Sequence, residues 1–464
     1  MLFEKFFNPE AVAVVGASNN PVKIGYAIMR NLISSGYAGK IYPVNRNPGD
    51  ILGIHSYQSL TDINRSVDLA VITVPAASVF DEVKECVSLK VPYVIIIPGG
   101  FSETGESGRE VEKSIKNLIK GSHTRLIGPN TVGVYFPHTK LNTALTPPER
   151  VSFPVAGDIA FISQSGALGL LTMDSISEYG IGISAFVNIG NKIDVDENEF
   201  LEYFNQDART KAIAIYLESM DNGRRFYELL RAINRVKPTV VLKSGRTEAS
   251  AKAASLHTGA LASNDRIVDG MLRQAGAARA YNEVELLDYS RVLAYSKPFA
   301  GERIAVVTTA GGVGVITSDY VSSRSHGIGL HMATLSEDTK AEIRKQIVSF
   351  GSAENPVDLT ADGDIPSYEK VLGLLQKDRG VDAIIAYALP QTPKMNMEVV
   401  EVISRLSAAD KPILVGVIGS KLGKELLVEF ERARIPAFPS IERVVKSLKV
   451  LHERGIYLKS RGLL

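Results

Sequence analysis

Cysteine is nearly absent. Of 464 residues only Cys86 carries a thiol, which excludes an internal disulfide framework and a cysteine-cluster metal site. Net charge is nearly absent too: 52 lysines and arginines against 51 acids leave +1. No basic block is present to recruit nucleic acid, and there is no acidic tail. No apolar run reaches the roughly 18–20 residues that span a bilayer. The amino-terminal stretch MLFEKFFNPEAVAVVG lacks the pattern of a signal peptide. These absences predict a cytoplasmic protein that binds neither nucleic acid nor membrane and holds no metal. What is present, 45% apolar and 22% charged residues, is the composition of an ordinary globular chain, and its length calls for two to four domains.

Short β-branched runs alternate with longer amphipathic stretches. AVAVVG (11–16), KIYPV (40–44), DLAVITVP (68–75), YVIIIP (93–98) and RLIGPN (125–130) read as strands. The segments between them, such as IGYAIMRNLISSG, carry apolar residues at helical spacing. Near-continuous apolar strands separated by helices predict a parallel sheet covered on both faces, so residues 1–137 read as a Rossmann-like domain. HTKLNTALTPPERVSFPVAG (138–157) is rich in Pro and Thr and reads as a loop. The pattern then restarts over 150–295 and again over 300–464. These two segments match each other in order: IAFISQSGALG with IAVVTTAGGVG, KAIAIYLESM with VDAIIAYALPQ, and KPTVVLKSGR with KPILVGVIGS. The expected fold is α/β: a Rossmann-like domain followed by two tandem flavodoxin-like, parallel-sheet domains.

Three strand-to-helix turns carry small residues. VAVVGASNNPVKIGYAIM (12–29) presents N–H groups and a positive helix end to a phosphate. It lacks the G-x-G-x-x-G spacing, because Gly16 is followed by Ala17 and Ser18 and the next glycine is Gly25. A dinucleotide-binding domain places an acid at the exit of its second strand to hold ribose hydroxyls; here stand Asn45 and Arg46. An arginine suits a ribose phosphate, which ranks coenzyme A, with its 3′-phosphate, above NAD and leaves NADP open. SQSGALG (163–169) and TTAGGVG (308–314) have the same strand–turn–helix form. That makes Ser163, Ser165, Gly166, Gly311, Gly312 and Gly314 candidate anion holders. Neither turn is a Walker A loop, for no G-K-[ST] follows. Ser165 is not a hydrolase nucleophile, for Ser163 stands where that motif needs glycine. Two such loops in repeated domains imply two helix ends converging on one anion.

Of the seven histidines, His257 in KAASLHTGALASND (252–265) sits among small residues. With no second ligand at i+2 to i+4, a metal site there would rest on remote residues. A nucleophilic imidazole needs an uncrowded mount and an acid that fixes its tautomer. Ala253, Ala254, Gly259 and Ala260 suit the first need; Glu218, at the exit of AIAIYLE, suits the second. The other reading of Glu218 is a salt bridge to Arg224 or Arg225. The residues alone leave both open.

In order along the chain, Gly16-Ala17-Ser18, GPNTVG (128–133), SQSGALG and SLHTGALA resemble the acid–CoA ligases of the succinyl-CoA synthetase superfamily. With a third domain carrying TTAGGVGV and ENPVDLT (354–360), the whole chain is similar to the α subunits of the ADP-forming acetyl-CoA synthetase family. The resemblance implies conversion of acyl-CoA, ADP and phosphate to acid, CoA and ATP. The route is an acyl phosphate, then a phosphohistidine on a loop that swings to an ATP-grasp module. It assigns that histidine to His257, in a loop at about 245–265, and its supporting carboxylate to Glu218. It assigns the phosphate-holding helix ends to Ser163–Gly166 and Gly311–Gly314. CoA contacts map to Gly16, Ser18, Asn19, Lys23, Asn45, Arg46, Val74, Pro75, Ile97 and Gly99. Leu170 stands where succinate-handling members carry an aromatic residue, which disfavours succinate. No stretch resembles an ATP-grasp domain, so Mg-ADP and Mg-ATP are expected on a separate β subunit, in an α2β2 assembly. A phosphohistidine carries about two negative charges, and each helix N-terminus contributes about 0.3–1 kcal/mol toward holding them. The competing readings are a non-catalytic acyl-CoA-binding or regulatory protein of the same fold, and an NADP oxidoreductase. The latter leaves two phosphate-loop domains unexplained.

Overall fold

A computed structural model describes residues 3–250, 264–325, 327–419 and 421–464. The first sheet is built from β1 (Ala11–Val15), β2 (Lys40–Val44), β5 (Leu69–Ile72), β6 (Tyr93–Ile96) and β7 (Arg125–Ile127). β3 (Asp50–Ile51) and β4 (Ile54–His55) form a separate two-stranded hairpin next to β2. The order is β2-β1-β5-β6-β7, and every pairing is parallel. All residues of β1, β5 and β6 are buried, which is why these strands carry apolar side chains on both faces rather than in alternation.

The second sheet joins β8 (Val134–Phe136), β9 (Leu141–Asn142), β10 (Ala156–Ser163), β11 (Ile183–Asn188), β12 (Ala212–Leu217), β13 (Thr239–Lys243) and β14 (Ala278–Ala280). Its order is β14-β13-β12-β10-β11-β8-β9. The third contains β15 (Arg303–Thr308), β16 (His331–Met332), β17 (Val357–Asp358), β18 (Ala383–Tyr387), β19 (Ile413–Gly416) and β20 (Ala437–Phe438). Its order is β16-β15-β18-β19-β20, with β17 also on β15. Counted by appearance, the parallel strands of all three sheets follow the doubly wound order 2-1-3-4-5, with β8, β9 and β17 as additions. The repeat extends to side chains. The last residue of β10 and of β15 is a hydroxyl that holds the following turn, Ser163 Oγ donating to Ser165 O at 2.7 Å and Thr308 Oγ1 to Ala310 O at 3.1 Å.

One difference from the sequence reading lies at 134–142. The stretch from 138 reads as loop, yet β9 falls within it, and β8, just before, pairs antiparallel with β11 of the second sheet. Strands of three and two residues are too short to show an alternation. They form because Val134, Phe136 and Leu141 are buried in the core.

The chain separates into two compact units, Met1–Glu178 with Gly182–Glu283, and Tyr179–Ile181 with Val284–Leu464. The first unit holds the first two sheets because they share one core. The short helix Glu4–Phe7 supplies part of it: Phe3, Phe6 and Phe7 are buried with Tyr93 of β6, Phe136 of β8, and Phe200, Tyr203 and Phe204 of helix Glu197–Gln206. The Phe7 ring stacks on Tyr203 with centroids 3.9 Å apart and planes 5° from parallel. In the second unit, Arg291 is fully enclosed with Asp288 and Glu431, its Nη1 3.0 Å from Asp288 Oδ1, and Arg443 closes on the same aspartate at 2.7 Å. The aromatic group predicts that Phe7→Ala lowers unfolding stability by about 3–5 kcal/mol, as expected for emptying a buried phenylalanine site. Urea denaturation of the full chain measures this; a change below 1 kcal/mol would show that the helix Glu4–Phe7 is not part of the shared core.

Candidate functional site

The carboxyl edge of the second sheet is organised by two buried carboxamides. Gln164 follows β10, and its Oε1 accepts the backbone N–H groups of Glu218 and Ser219 at 2.9 and 3.0 Å. Its Nε2 donates to Ser219 Oγ at 3.1 Å. Asn188 ends β11. Its Nδ2 donates to Ser163 O at 2.8 Å and Gln164 O at 3.2 Å, and its Oδ1 accepts Val132 N at 2.8 Å. These bonds position the start of helix Gly166–Glu178, whose first N–H groups have no acceptor within the helix. Gly166 is required there by space: a Cβ would lie 2.5 Å from Val132 Cγ1. The turn is therefore a helix start with unpaired N–H groups and a backbone packed tightly on Val132.

Glu218 follows β12 and is half-buried. Arg224 pairs with Glu228 at 2.5 Å, and Arg225 with Glu199 and Glu202, both at 2.9 Å. The alternative salt bridge from Glu218 to either arginine does not form. Among the described residues its carboxylate accepts the Tyr216 hydroxyl at 3.4 Å. Beside it, Lys192 and Glu197 make an ion pair at 3.0 Å with side chains 1% and 0% exposed, and Lys192 Nζ also donates to Ser219 O at 3.1 Å. Burial pushes the Glu197 carboxyl upward, against the pull of the Lys192 ammonium.

The loop after β11 docks on the loop after β7. Asn191 N donates to Pro129 O at 2.9 Å and Ile193 N to Gly128 O at 3.2 Å. Gly190, at φ +55°, would place a Cβ 2.2 Å from Pro129 O. Asn191 Nδ2 reaches Glu103 Oε2 and Glu112 Oε1, each at 2.7 Å. Burial works against a charge on Glu103, but hydrogen bonds from Asn191, Gly100 and Phe101 outweigh it and hold its carboxyl below the ordinary value of 4.5.

Between these edges opens a cleft of about 610 Å³ in the first unit. Its walls bring together Ile97 and Gly99 from the first sheet with Ser165, Gly166 and Glu218 from the second. Ser163 is buried and is not among its lining residues. Gly16, Ser18, Asn19, Lys23, Asn45, Arg46, Val74 and Pro75 are not among its lining residues; they occupy the carboxyl edge of the first sheet around β1, β2 and β5. Gly16 has φ +89° and a Cβ would meet Thr73 Oγ1 at 2.6 Å, so the chain passes too close for any other residue. Asn45 Nδ2 donates to Ala17 O at 2.8 Å, Asn19 Nδ2 to Asp50 O at 2.7 Å, and Asn20 N to Ser18 Oγ at 3.0 Å. Asn45 and Asn19 thus shape the edge with their own side chains, while Arg46 is exposed. β1 and β5 flank the point where the strand order reverses, the crevice in which such sheets hold ligands. Asn130, Gln164, Asn191 and Lys192 also line the cleft; Asn130 lies in the GPNTVG run and Gln164 in SQSGALG, while the sequence offered no signal for Asn191 and Lys192.

In the second unit, helix Gly311–Ser322 begins without a side-chain cap. The Asp358 carboxylate stands 3.0 Å from where a Gly311 Cβ would be and accepts Thr360 N at 2.8 Å. A carboxylate at this helix end already meets part of its dipole. Gly312 has open space around it, and Gly314 packs on Pro356 and Thr308. His257 lies outside the described residues. No group of three or more His, Cys, Asp or Glu among the described residues is arranged to hold a metal, and no described helix is long and apolar enough to cross a membrane.

Three family models match the chain: a CoA binding domain over 10–137, a succinyl-CoA ligase like flavodoxin domain over 156–293, and a ligase-CoA domain over 304–456. The α subunit of the Pyrococcus furiosus ADP-forming acetate–CoA ligase I is 39% identical over 461 residues, covering 98% of each chain. The α subunit of ligase II from the same organism is 36% identical over 465 residues, again 98% of each. The solved acetyl-coenzyme A synthetase 1 of Ca. Korarchaeum cryptofilum, in complex with phosphate and ADP, matches with a TM-score of 0.89 at 33% identity. It covers 99% of this chain and 98% of that one.

Gln164→Leu leaves two enclosed backbone donors without an acceptor, so we expect a loss of about 1–3 kcal/mol for each in chemical denaturation; wild-type stability would remove Gln164 from its organising role. Glu103 has a lowered carboxyl, so its contribution is complete above the ordinary value of 4.5 and fades as pH falls through the folded value. The Tm gap between wild type and Glu103→Gln should therefore be widest near neutrality and close on acidification. A gap independent of pH would contradict the assignment.

Proposed function

The chain belongs to the α-subunit family of ADP-forming acetate–CoA ligases, and from that premise we propose how its residues divide the reaction. It takes an acyl-CoA, with acetyl-CoA as the natural choice, together with ADP and phosphate, and yields the acid, CoA and ATP. Phosphate rests against the N–H groups at Ser165 and Gly166 and attacks the thioester carbon. A C–O bond forms as the C–S bond breaks, and the phosphate proton passes to the departing CoA sulfur. The unprotonated nitrogen of His257 then attacks phosphorus, the P–O bond to the acyl group breaks, and the carboxylate leaves. ADP finally takes the phosphoryl group from that nitrogen. Glu218 accepts the hydrogen bond of the other ring N–H, which keeps the attacking nitrogen free of a proton.

One observation carries this reading. The Glu218 carboxylate is left out of the Arg224 and Arg225 ion pairs and lines the same cleft as the Ser165–Gly166 helix start. We assign CoA to the first-sheet edge, with Gly16, Ser18, Asn19, Lys23, Asn45, Arg46, Val74, Pro75, Ile97 and Gly99 as its contacts. Gly311, Gly312 and Gly314 are the proposed second phosphate-holding turn, on the family likeness. Mg-ADP and Mg-ATP belong to an ATP-grasp β subunit, in an α2β2 assembly in the cytoplasm.

With that β subunit and γ-labelled ATP, this chain should acquire an acid-labile, base-stable label. His257→Ala should abolish the label while CoA binding persists. Glu218→Gln should slow labelling by about 10²–10⁴-fold, the usual contribution of a positioned proton-holding group. An unlabelled wild-type chain beside an active β subunit would end the phosphohistidine reading.

A further inference from the structure

Besides Ile97 and Pro98 at the first-sheet edge, four apolar side chains line the cleft, each from a separate segment: Ile24, Val132, Leu145 and Ala167. Val132 lies against the start of helix Gly166–Glu178, its Cγ1 2.5 Å from the place of a Gly166 Cβ. Leu145 N donates to Val132 O at 3.0 Å, which sets these two half-buried residues side by side. Ala167 is the second residue of the helix and is exposed in the cleft wall.

The backbone at Leu145 is gripped a second time. Asn31 is fully buried in helix Ile24–Ser34. Its Nδ2 donates to Ala144 O at 2.7 Å and to Thr146 O at 2.9 Å, the carbonyls on either side of Leu145. Among the described residues its Oδ1 finds no donor. An enclosed carbonyl oxygen without a partner is costly, so this amide is kept for what its other end does, which is to hold residues 144–146 in one course. Ile24 opens the same helix seven residues earlier, on the same face and about 10 Å along the axis. One buried amide thus ties Leu145 to the helix that carries Ile24. Among the described residues both cations of the lining already pair with acids, Arg109 with Glu106 at 3.3 Å and Lys192 with Glu197 at 3.0 Å. Apolar side chains beside a helix start, with the cations committed elsewhere, suit an uncharged alkyl group attached to an anion.

We propose, building on the reading that phosphate meets the thioester at the Ser165–Gly166 turn, that Leu145 limits the size of the acyl group this cleft accepts. In an acyl phosphate the alkyl group is joined to the bridging oxygen through the carbonyl carbon alone. An acyl group whose phosphate rests on Gly166 therefore meets the side chains packed around that turn. Val132 cannot yield, because Gly166 backs onto it and Asn188 Oδ1 holds its N–H at 2.8 Å. Ala167 is already small. Leu145, on a backbone fixed by Asn31 and Val132, is the wall whose bulk sets the limit.

The measured quantity is kcat/KM for isobutyryl-CoA divided by that for acetyl-CoA, read as CoA release by the full chain with the β subunit, ADP and phosphate. Leu145→Ala should raise this ratio at least about tenfold, the effect of opening an apolar pocket by a methylene or more. Leu145→Phe should lower it. Both substrates meet the same folded molecules, so lost stability cancels from the ratio. Leu171→Ala, at an exposed leucine of the same helix outside the cleft, should leave the ratio unchanged. A wild-type ratio in Leu145→Ala would overturn the proposal, as would a raised ratio in Leu145→Phe or an equal rise in Leu171→Ala. If the wild-type complex releases no CoA from either substrate, the ligase reading fails separately, and calorimetry of the two acyl-CoAs on the full chain still decides Leu145. The affinity gap between them should narrow in Leu145→Ala; an equal gap in wild type and variant rejects the role.

Discussion

Two enclosed amide side chains, Gln164 and Asn188, hold the functional edge of the second sheet together. Each has a carbonyl oxygen and an NH₂ group that must find partners once water is removed. Gln164 spends its oxygen on the N–H groups of Glu218 and Ser219, while Asn188 bonds the carbonyls of Ser163 and Gln164 and the N–H of Val132. Three parallel strands and the GPNTVG loop of the first sheet are thereby tied to the same few atoms. The start of the helix at Gly166 and the chain at Glu218 have no independent freedom. Dipoles held in place in this way need no reorganisation to stabilise a charge.

Cations around this edge are committed to acids of the chain itself. Lys192 is neutralised by Glu197, Arg225 by Glu199 and Glu202, and Arg279 by Asp265 and Asp269. The helix that starts at Gly166 opens on the cleft with backbone N–H groups rather than a cation. Glu103, near the cleft, is enclosed in donors from Asn191, Gly100 and Phe101, whereas Glu218 on the cleft wall stays outside the ion pairs. The third sheet offers a contrast. Its matching helix start has Asp358 beside it, so the repeat has kept the backbone form while changing the charge it presents.

Much of the fold was legible along the chain. Strands buried on both faces need continuous apolar runs, and AVAVV, LAVI and YVII are such runs. The turns at Gly16 and Gly166 were visible because a close approach of backbone demands glycine. β8 and β9 were hidden, being too short for any period to register. The phenylalanines at 3, 6 and 7 carry no periodic signature, and their burial follows from a shared core that no local pattern announces. Gln164 lay inside the SQSGALG turn without a role of its own, and Asn188, Asn191 and Lys192 lay outside every motif. A buried amide acquires its meaning from the atoms around it, and those atoms come from strands far apart in sequence.

The chain order of motifs determined the class of protein, its three-part α/β construction and the residue types suited to holding phosphate and CoA. Those conclusions depend on local backbone chemistry: glycine where space is short, hydroxyls and small residues at helix starts, apolar runs in covered strands. The tertiary structure decided which candidates meet. It separated Glu218 from Arg224 and Arg225 and gathered it with Ser165, Gly166, Ile97 and Gly99 around one cleft. Strand order and register make those choices. Both arise from packing between distant segments, which no single stretch of sequence contains.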